Sequence, residues 1–158
     1  MKFVISSSAL LSFLSTASKV ISSKNTLPIL DYFLFEVKDG SLKVTASDLE
    51  TTITSTIIPE SVESEGVIAP VKLLIDSLKE FSEQPLTFEA DEEKWEIKIS
   101  WKTGSIALPG TSGMSYPAAQ PLADDAQELT FDVDVLLGGI NRTIFATADD
   151  ELRPVMNG

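Results

Sequence analysis

The chain has 158 residues, with 12 Lys and Arg against 24 Asp and Glu, no His and no Cys, for a formal net charge of −12. That length accommodates one full domain and little more. Without Cys the chain offers no disulfide, thiolate metal site or cysteine nucleophile; without His it offers no Ser-His triad, imidazole base or His-ligated zinc.

No stretch approaches the ~18 apolar residues of a transmembrane helix. A single Lys2 followed by a serine-interrupted pattern is unlike a secretory signal. A cytoplasmic protein with no membrane partner is expected. The acidic balance also argues against tight, non-specific binding to nucleic acid, which needs clustered Lys and Arg to neutralise phosphates. Holding DNA by shape rather than by charge stays open.

Residues 2–5 read as a short strand, followed by N-cap hydroxyls at Ser6, Ser7 and Ser8. Leu10, Phe13, Leu14, Ala17, Val20 and Ile21 then fall at helical spacing, and the helix is expected to stop by about Ser23. Phe33, Phe35 and Val37 alternate in a strand that turns at Asp39-Gly40, and Leu42, Val44 and Ala46 alternate on the way back. Asp48-Leu49-Glu50 reads as a second turn, and a Thr-rich run with Ile53, Ser55 and Ile57 as a third strand. Pro59 to Gly66 is expected to be an acidic loop, with a short strand over Gly66 to Ala69. Pro70 is expected in the first turn of a second helix whose stripe is Val71, Leu74, Ile75, Leu78 and then Phe81 or Ser82.

Leu86/Phe88/Ala90, Trp95/Ile97/Ile99 and Ile106/Leu108 give three more strands. Short turns between strands favour antiparallel pairing, so the fold class is α+β. From Pro109 to about Gln127 the periodicity fades, and the texture is that of a linker. Leu129-Thr130-Phe131 reads as a strand, and Asp132 or Asp134 as the cap of a third helix carrying Leu136, Ile140 and Ile144.

A shift of 126 residues lays this third helix on the first. Ile5 falls on Phe131, Leu10 on Leu136, Leu14 on Ile140, and Leu27-Pro28-Ile29-Leu30 on Arg153-Pro154-Val155-Met156. The second copy stops before any hairpin. One strand and one helix cannot bury their apolar faces alone, so the 125–158 segment is expected to dock on a neighbour or to be poorly ordered in isolation.

Met1-Lys2-Phe3, Thr26-Leu27-Pro28-Ile29-Leu30 and Ala46-Ser47-Asp48-Leu49-Glu50 resemble the first domain of the bacterial DNA sliding clamps, the beta subunits of DNA polymerase III. Thr143-Ile144-Phe145-Ala146 and Arg153 to Gly158 resemble the opening of the second. The resemblance runs through the whole chain. It implies a DNA-clamp fold, with two helices packed on antiparallel β-sheet in each domain. Residues 1–120 would be the first clamp domain, and 121–158 the end of a linker and a truncated start of the second. The chain would be the N-terminal fragment of a non-enzymatic processivity factor. The full-length parent would close head-to-tail into a homodimeric ring around duplex DNA, meeting DNA polymerase and clamp-loader subunits.

The resemblance also implies site residues. Lys24, Lys72, Lys79 and Arg142 match basic positions or lie on helices expected to line the hole, although solvated surface lysines would read the same. Ile106 and Leu108 match an apolar pair on an edge strand that meets the third domain of the other subunit; periodicity equally admits a core-facing pair. Arg153 and Met156 match the rim and wall of a pocket for short partner peptides, most of which comes from beyond Gly158; core packing is the other reading of Met156. Asp149-Asp150-Glu151 would repel phosphate, unlike the DNA-touching loop of some clamps.

No cofactor or metal is implied. Asp48/Glu50 and Asp149/Asp150 are explained by turns and solvation. Gly138-Gly139 lacks the spacing of a phosphate loop, costs a helix about 2 kcal/mol relative to alanine, and leaves close packing and close DNA approach both open. Two other readings stand beside the clamp: an acidic protein-interaction module docking through a β-edge without a DNA role, and, ranked last, a metal-dependent hydrolase using clustered carboxylates.

Overall fold

Strand β1 (Lys2–Ser6) buries Phe3 and Ile5, and the Ser6 hydroxyl then caps helix α1 (Ser7–Ala17) by accepting from the Ala9 N–H. The computed structural model describes residues 1–21, 27–119, 121, 123, 125–148 and 153–156. They divide into two compact units, Met1–Gln120 and Pro121–Gly158.

In the first unit α1 ends six residues before Ser23. Turns carry the chain on, so Val20 and Ile21 still bury their side chains outside the helix. A 3-10 turn opened by Pro28 (Pro28–Asp31) leads to β2 (Leu34–Lys38). Asp39 and Gly40 close the hairpin to β3 (Ser41–Ser47) with φ of 50° and 72°, the left-handed pair that a two-residue turn demands. β4 (Thr52–Ile57), β5 (Ser61–Ser64) and β6 (Gly66–Pro70) follow, then α2 (Leu74–Lys79), β7 (Pro85–Asp91), β8 (Glu96–Trp101) and β9 (Gly104–Ser112).

The sheet order is β4-β3-β2-β6-β9-β8-β7-β1-β5, antiparallel at every pairing. β4 and β5 stand at opposite ends of that order, yet only Ile58, Pro59 and Glu60 separate them in sequence. So short a link spans at most about 15 Å, so the sheet must curl until its two ends approach one another. Glu60 N–H, donating to Val4 O at 2.8 Å, ties the link to β1. β9 makes the curl possible. Gly104–Pro109 pair with β8, and Gly110–Ser112 with β6, so one strand passes from one half of the sheet to the other.

Alternate residues of each strand fill the concave side. Phe3, Phe35, Leu42, Phe88 and Ile99 share one core with Leu10 and Leu14 of α1 and Leu74 and Leu78 of α2. Phe3 and Phe88 sit opposite each other in register and stack with ring centroids 5.1 Å apart.

Four expectations need correction. The acidic stretch after Pro59 contains β5, because Val62 pairs opposite Phe3 and Lys2 neutralises Glu63. Pro70 ends a strand rather than starting a helix: its carbonyl accepts from Phe33 N–H, and α2 begins four residues later. Periodic structure persists past Pro109, since β9 runs to Ser112 and Tyr116 is buried. Leu129-Thr130-Phe131 form no strand.

The second unit holds α3 (Val133–Thr143), capped by Asp132, whose carboxylate accepts from the N–H groups of Asp134 and Val135. Short 3-10 turns lie at Ile144–Ala146 and Pro154–Met156. None of the residues of α3 is buried. The 126-residue shift lays Ser7–Ala17 on Val133–Thr143 end for end, and Pro28 on Pro154.

Candidate nucleic-acid interface and pairing edge

α1 carries no charged residue, and its solvent side is Ser8, Ala9, Ser12, Ser15 and Thr16. The cations of the helix layer lie at its margins. Lys72 sits in the turn before α2, its Nζ 3.4 Å from Ile21 O, at a shallow hollow of about 320 Å³ lined also by Ser18, Leu73, Ile75, Asp76 and Lys79. Lys79, in the last turn of α2, is exposed and 2.9 Å from the Asp76 carboxylate, so that much of its charge is answered within the helix. Lys72 and Lys79 thus share one hollow, with Asp76 between them. Arg142 is exposed in the last turn of α3. Lys24 lies outside the described residues.

Lysines on two strands and in one turn of the sheet are held by carboxylates. Lys2 bridges Glu63 at 3.0 Å and Glu89 at 3.2 Å, and hydrogen bonds to these two raise its pKa above the usual lysine value. Lys43 pairs with Glu36 at 3.0 Å, and Lys94 with Asp91 at 3.6 Å. The Asp91 carboxyl is held below its ordinary pKa chiefly by the backbone N–H groups of Lys94 and Glu93. Such pairs answer much of the charge of Lys2, Lys43 and Lys94, whereas Lys72, although it shares its hollow with Asp76, makes no ion pair with a described carboxylate.

Ile106 and Leu108 lie on the part of β9 that pairs only with β8, opposite Ile99 and Ile97. The other flank of Gly104–Pro109 has no strand beside it among the described residues. Leu108 is buried in the core, and Ile106 is half-buried at its rim. The pair therefore both faces the core and borders an open backbone edge.

Arg153 and Met156 fall in the second unit, where Met156 N–H donates to Arg153 O at 2.9 Å and Ala148 N–H to Met156 O at 2.8 Å. Both side chains are exposed. Asp48 is a turn cap, accepting from Glu50 and Thr51 N–H; Asp149, Asp150 and Glu151 lie outside the described residues. Among the described residues no three His, Cys, Asp or Glu side chains gather as metal ligands, and no helix is long and apolar enough to cross a membrane.

Sequence reasoning missed an aromatic pair beside the open edge. Phe81, just after α2, meets Trp101 at the end of β8 edge-to-face, with centroids 4.8 Å apart. No periodicity links residues in different elements, so the only available signal was the presence of a large ring at each strand or helix end.

Two neighbouring helices on the concave side of a curled antiparallel sheet, with one strand shared between its halves, make the first unit a DNA-clamp fold. The structure of the beta subunit from the DNA polymerase of Streptococcus pyogenes matches this chain with a TM-score of 0.87 at 24% identity, over 100% of this chain and 43% of that one. The Helicobacter pylori beta clamp bound to a DNA ligase peptide matches with a TM-score of 0.85 at 19% identity, over 95% of this chain and 41% of that one. A sequence profile described as "DNA polymerase III beta subunit, N-terminal domain" matches residues 1–120, and the chain belongs to that family. The beta sliding clamp of Staphylococcus epidermidis is 29% identical over 167 aligned positions, covering all of this chain and 44% of the relative. The chain thus spans less than half the length of the relatives it matches.

Proposed function

We propose that this chain is the N-terminal part of a DNA polymerase processivity clamp, which encircles duplex DNA as a head-to-tail dimeric ring and tethers the replicative polymerase without catalysing a reaction. The observation that carries this is the match of residues 1–120 to the N-terminal-domain family, followed by similarity to a beta sliding clamp to the end of the chain. Residues 121–158 are then the end of a linker and the start of a second clamp unit, in keeping with the equal lengths of α1 and α3 and their 126-residue spacing.

Retention by encirclement explains how an acidic protein serves DNA. Every phosphate neutralised adds nearly one unit to the salt slope of binding, and strong contacts would slow sliding. An uncharged α1 flanked by Lys72 and a half-neutralised Lys79 suits a lining that touches DNA weakly. Lys24, Lys72, Lys79 and Arg142 are the cations assigned to the duplex. The open flank of β9 at Ile106 and Leu108 is assigned to the other subunit, joining by sheet continuation. Arg153 and Met156 are assigned to a peptide pocket completed beyond Gly158, through which polymerase and clamp-loader subunits would attach. The Helicobacter pylori relative binds a DNA ligase peptide.

Primer extension on a long template tests the reading. With the full-length parent and its loader, product length per binding event should rise by an order of magnitude or more; unchanged lengths would defeat it.

A further inference from the structure

Three serines in a row lead into α1, and only the middle one is buried. Ser6 caps the helix, Ser8 is exposed, and Ser7 is 2% exposed. The Ser7 hydroxyl donates to Ser82 O at 3.0 Å and accepts from Gln84 N–H at 3.1 Å, while its backbone N–H donates to Gln84 O at 2.9 Å. All three bonds reach the segment that joins α2 to β7. A helix gains nothing from serine in place of alanine, so the hydroxyl is there for what lies across from it.

α1 and α2 otherwise share the core through apolar side chains, Leu10 and Leu14 on one and Leu74 and Leu78 on the other. Burial of that kind is non-directional and determines the register of two helices only weakly. The Ser7 bonds are directional. One buried hydroxyl satisfies an acceptor and a donor of the same loop at once, which a single placement of that loop allows, and leaving either group unpaired is costly. At the other end of the pair Lys72 Nζ lies 3.4 Å from Ile21 O. The start of α1 is thus tied to the chain after α2, and the exit of α1 to the turn before α2, so the two helices run antiparallel and are held at both ends. Lys79 is in the last turn of α2, three residues before Ser82 and so close in sequence to the Ser7 tie.

We infer that Ser7 is a positioning residue for the DNA lining: by fixing the α2–β7 connection it sets the register of α2 on α1, and so the place at which Lys79 meets the duplex. The inference rests on the clamp reading, in which Lys79 is assigned to DNA. Ser7 itself is buried and acts through the helix.

The test reads the salt slope of binding to linear duplex in the full-length parent carrying Asp76→Asn, which frees the Lys79 charge. Thermal melting of every variant alongside ensures that folded protein is compared. With Ser7 in place, adding Lys79→Ala should lower the slope by about one, the worth of a single phosphate contact. With Ser7→Ala the same Lys79→Ala change should lower it by less than about half a unit, because the charge is no longer held where the phosphate lies. Ser7→Thr keeps the hydroxyl and should restore the full Lys79 effect. If Ser7→Ala fails to fold, Ser7→Cys, whose thiol is a weak donor and acceptor, takes its place with the same expectation. A Lys79 effect of equal size with and without the hydroxyl overturns the positioning role and leaves the clamp reading standing. No Lys79 effect even with Ser7 in place removes Lys79 from the duplex, and the inference falls with that assignment.

Discussion

The Tyr116 hydroxyl accepts a hydrogen bond from the Ser47 backbone N–H at 3.0 Å, across 69 residues of sequence. It pins the segment that leaves β9 to the end of β3. Gly113 permits this course: a Cβ there would stand 2.5 Å from Val67 Cγ1 and 2.7 Å from Leu34 Cδ1. Ser47 in turn bonds through its hydroxyl to Thr52 and Leu49, so that the bond also braces the β3–β4 turn.

Tyr116→Phe keeps the ring and leaves the buried Ser47 N–H without its acceptor. The expected cost is about 1–3 kcal/mol, read as a lower urea midpoint with an unchanged slope. An unchanged midpoint would mean that water replaces the hydroxyl.

The same residue gives a pH dependence. Burial pushes the Tyr116 phenol above its ordinary pKa of 10.0, outweighing the Ser47 bond, which pulls it down. Above the unfolded pKa the unfolded chain gives up this proton before the folded one does. The contribution is therefore whole below pH 10.0 and is lost as pH rises through the folded value. Denaturant midpoints taken between pH 9 and 11 (about one unit either side of the phenol's reference value) should fall more steeply for the wild-type chain than for Tyr116→Phe. Parallel curves would contradict the assignment.

Phe88→Ala removes one ring of the stack that joins β1 to β7. Both rings are essentially inaccessible to solvent. The expected loss is about 3–5 kcal/mol, measured by chemical denaturation of the 158-residue chain. A loss below about 1 kcal/mol would show that the site collapses around the gap.

Lys72 and Lys79 should contribute unequally to DNA. Lys72→Ala in the full-length parent should lower the salt slope of binding to linear duplex by about one. Lys79→Ala should change it less, and Asp76→Asn should raise affinity by releasing the Lys79 charge. Stability should stay within about 0.5 kcal/mol for the exposed Asp76–Lys79 pair. Equal effects of the two lysine variants would remove the argument from pairing.

The apolar residues of α3 are exposed, with Ile140 at 45% and Phe145 in the following turn at 84%. An 11-residue helix is marginal without packing. Limited proteolysis of the 158-residue chain should cut within 121–158 first and leave residues 1–120 intact, and the full-length parent should protect the segment. Resistance of 121–158 in a dilute monomer would count against the need for a partner surface.

Local chemistry made most of the fold readable. Alternation at Phe33, Phe35 and Val37, the Asp39-Gly40 turn and the spacing of Leu10, Leu14 and Ala17 each act over a few residues, and each element formed where that chemistry put it. What was hidden depends on partners far away in sequence. Val62 is the lone apolar residue in a polar run, and it becomes a strand because β1 offers an unpaired flank and Lys2 offsets the acids around it. Pro70 is compatible with a helix start, but the bonds made by its neighbours keep it in β6. The Lys72 hollow and the Phe81–Trp101 contact are equally non-local, since each joins side chains from separate elements.

The central claim is that the parent protein holds DNA by encirclement. Loading the full-length parent onto nicked circular duplex, then linearising the circle, tests it most directly. The account predicts that the protein stays on the circle through gel filtration at high salt and runs off once an end exists. Equal retention on circular and linear DNA, or salt-sensitive loss from both, would contradict it.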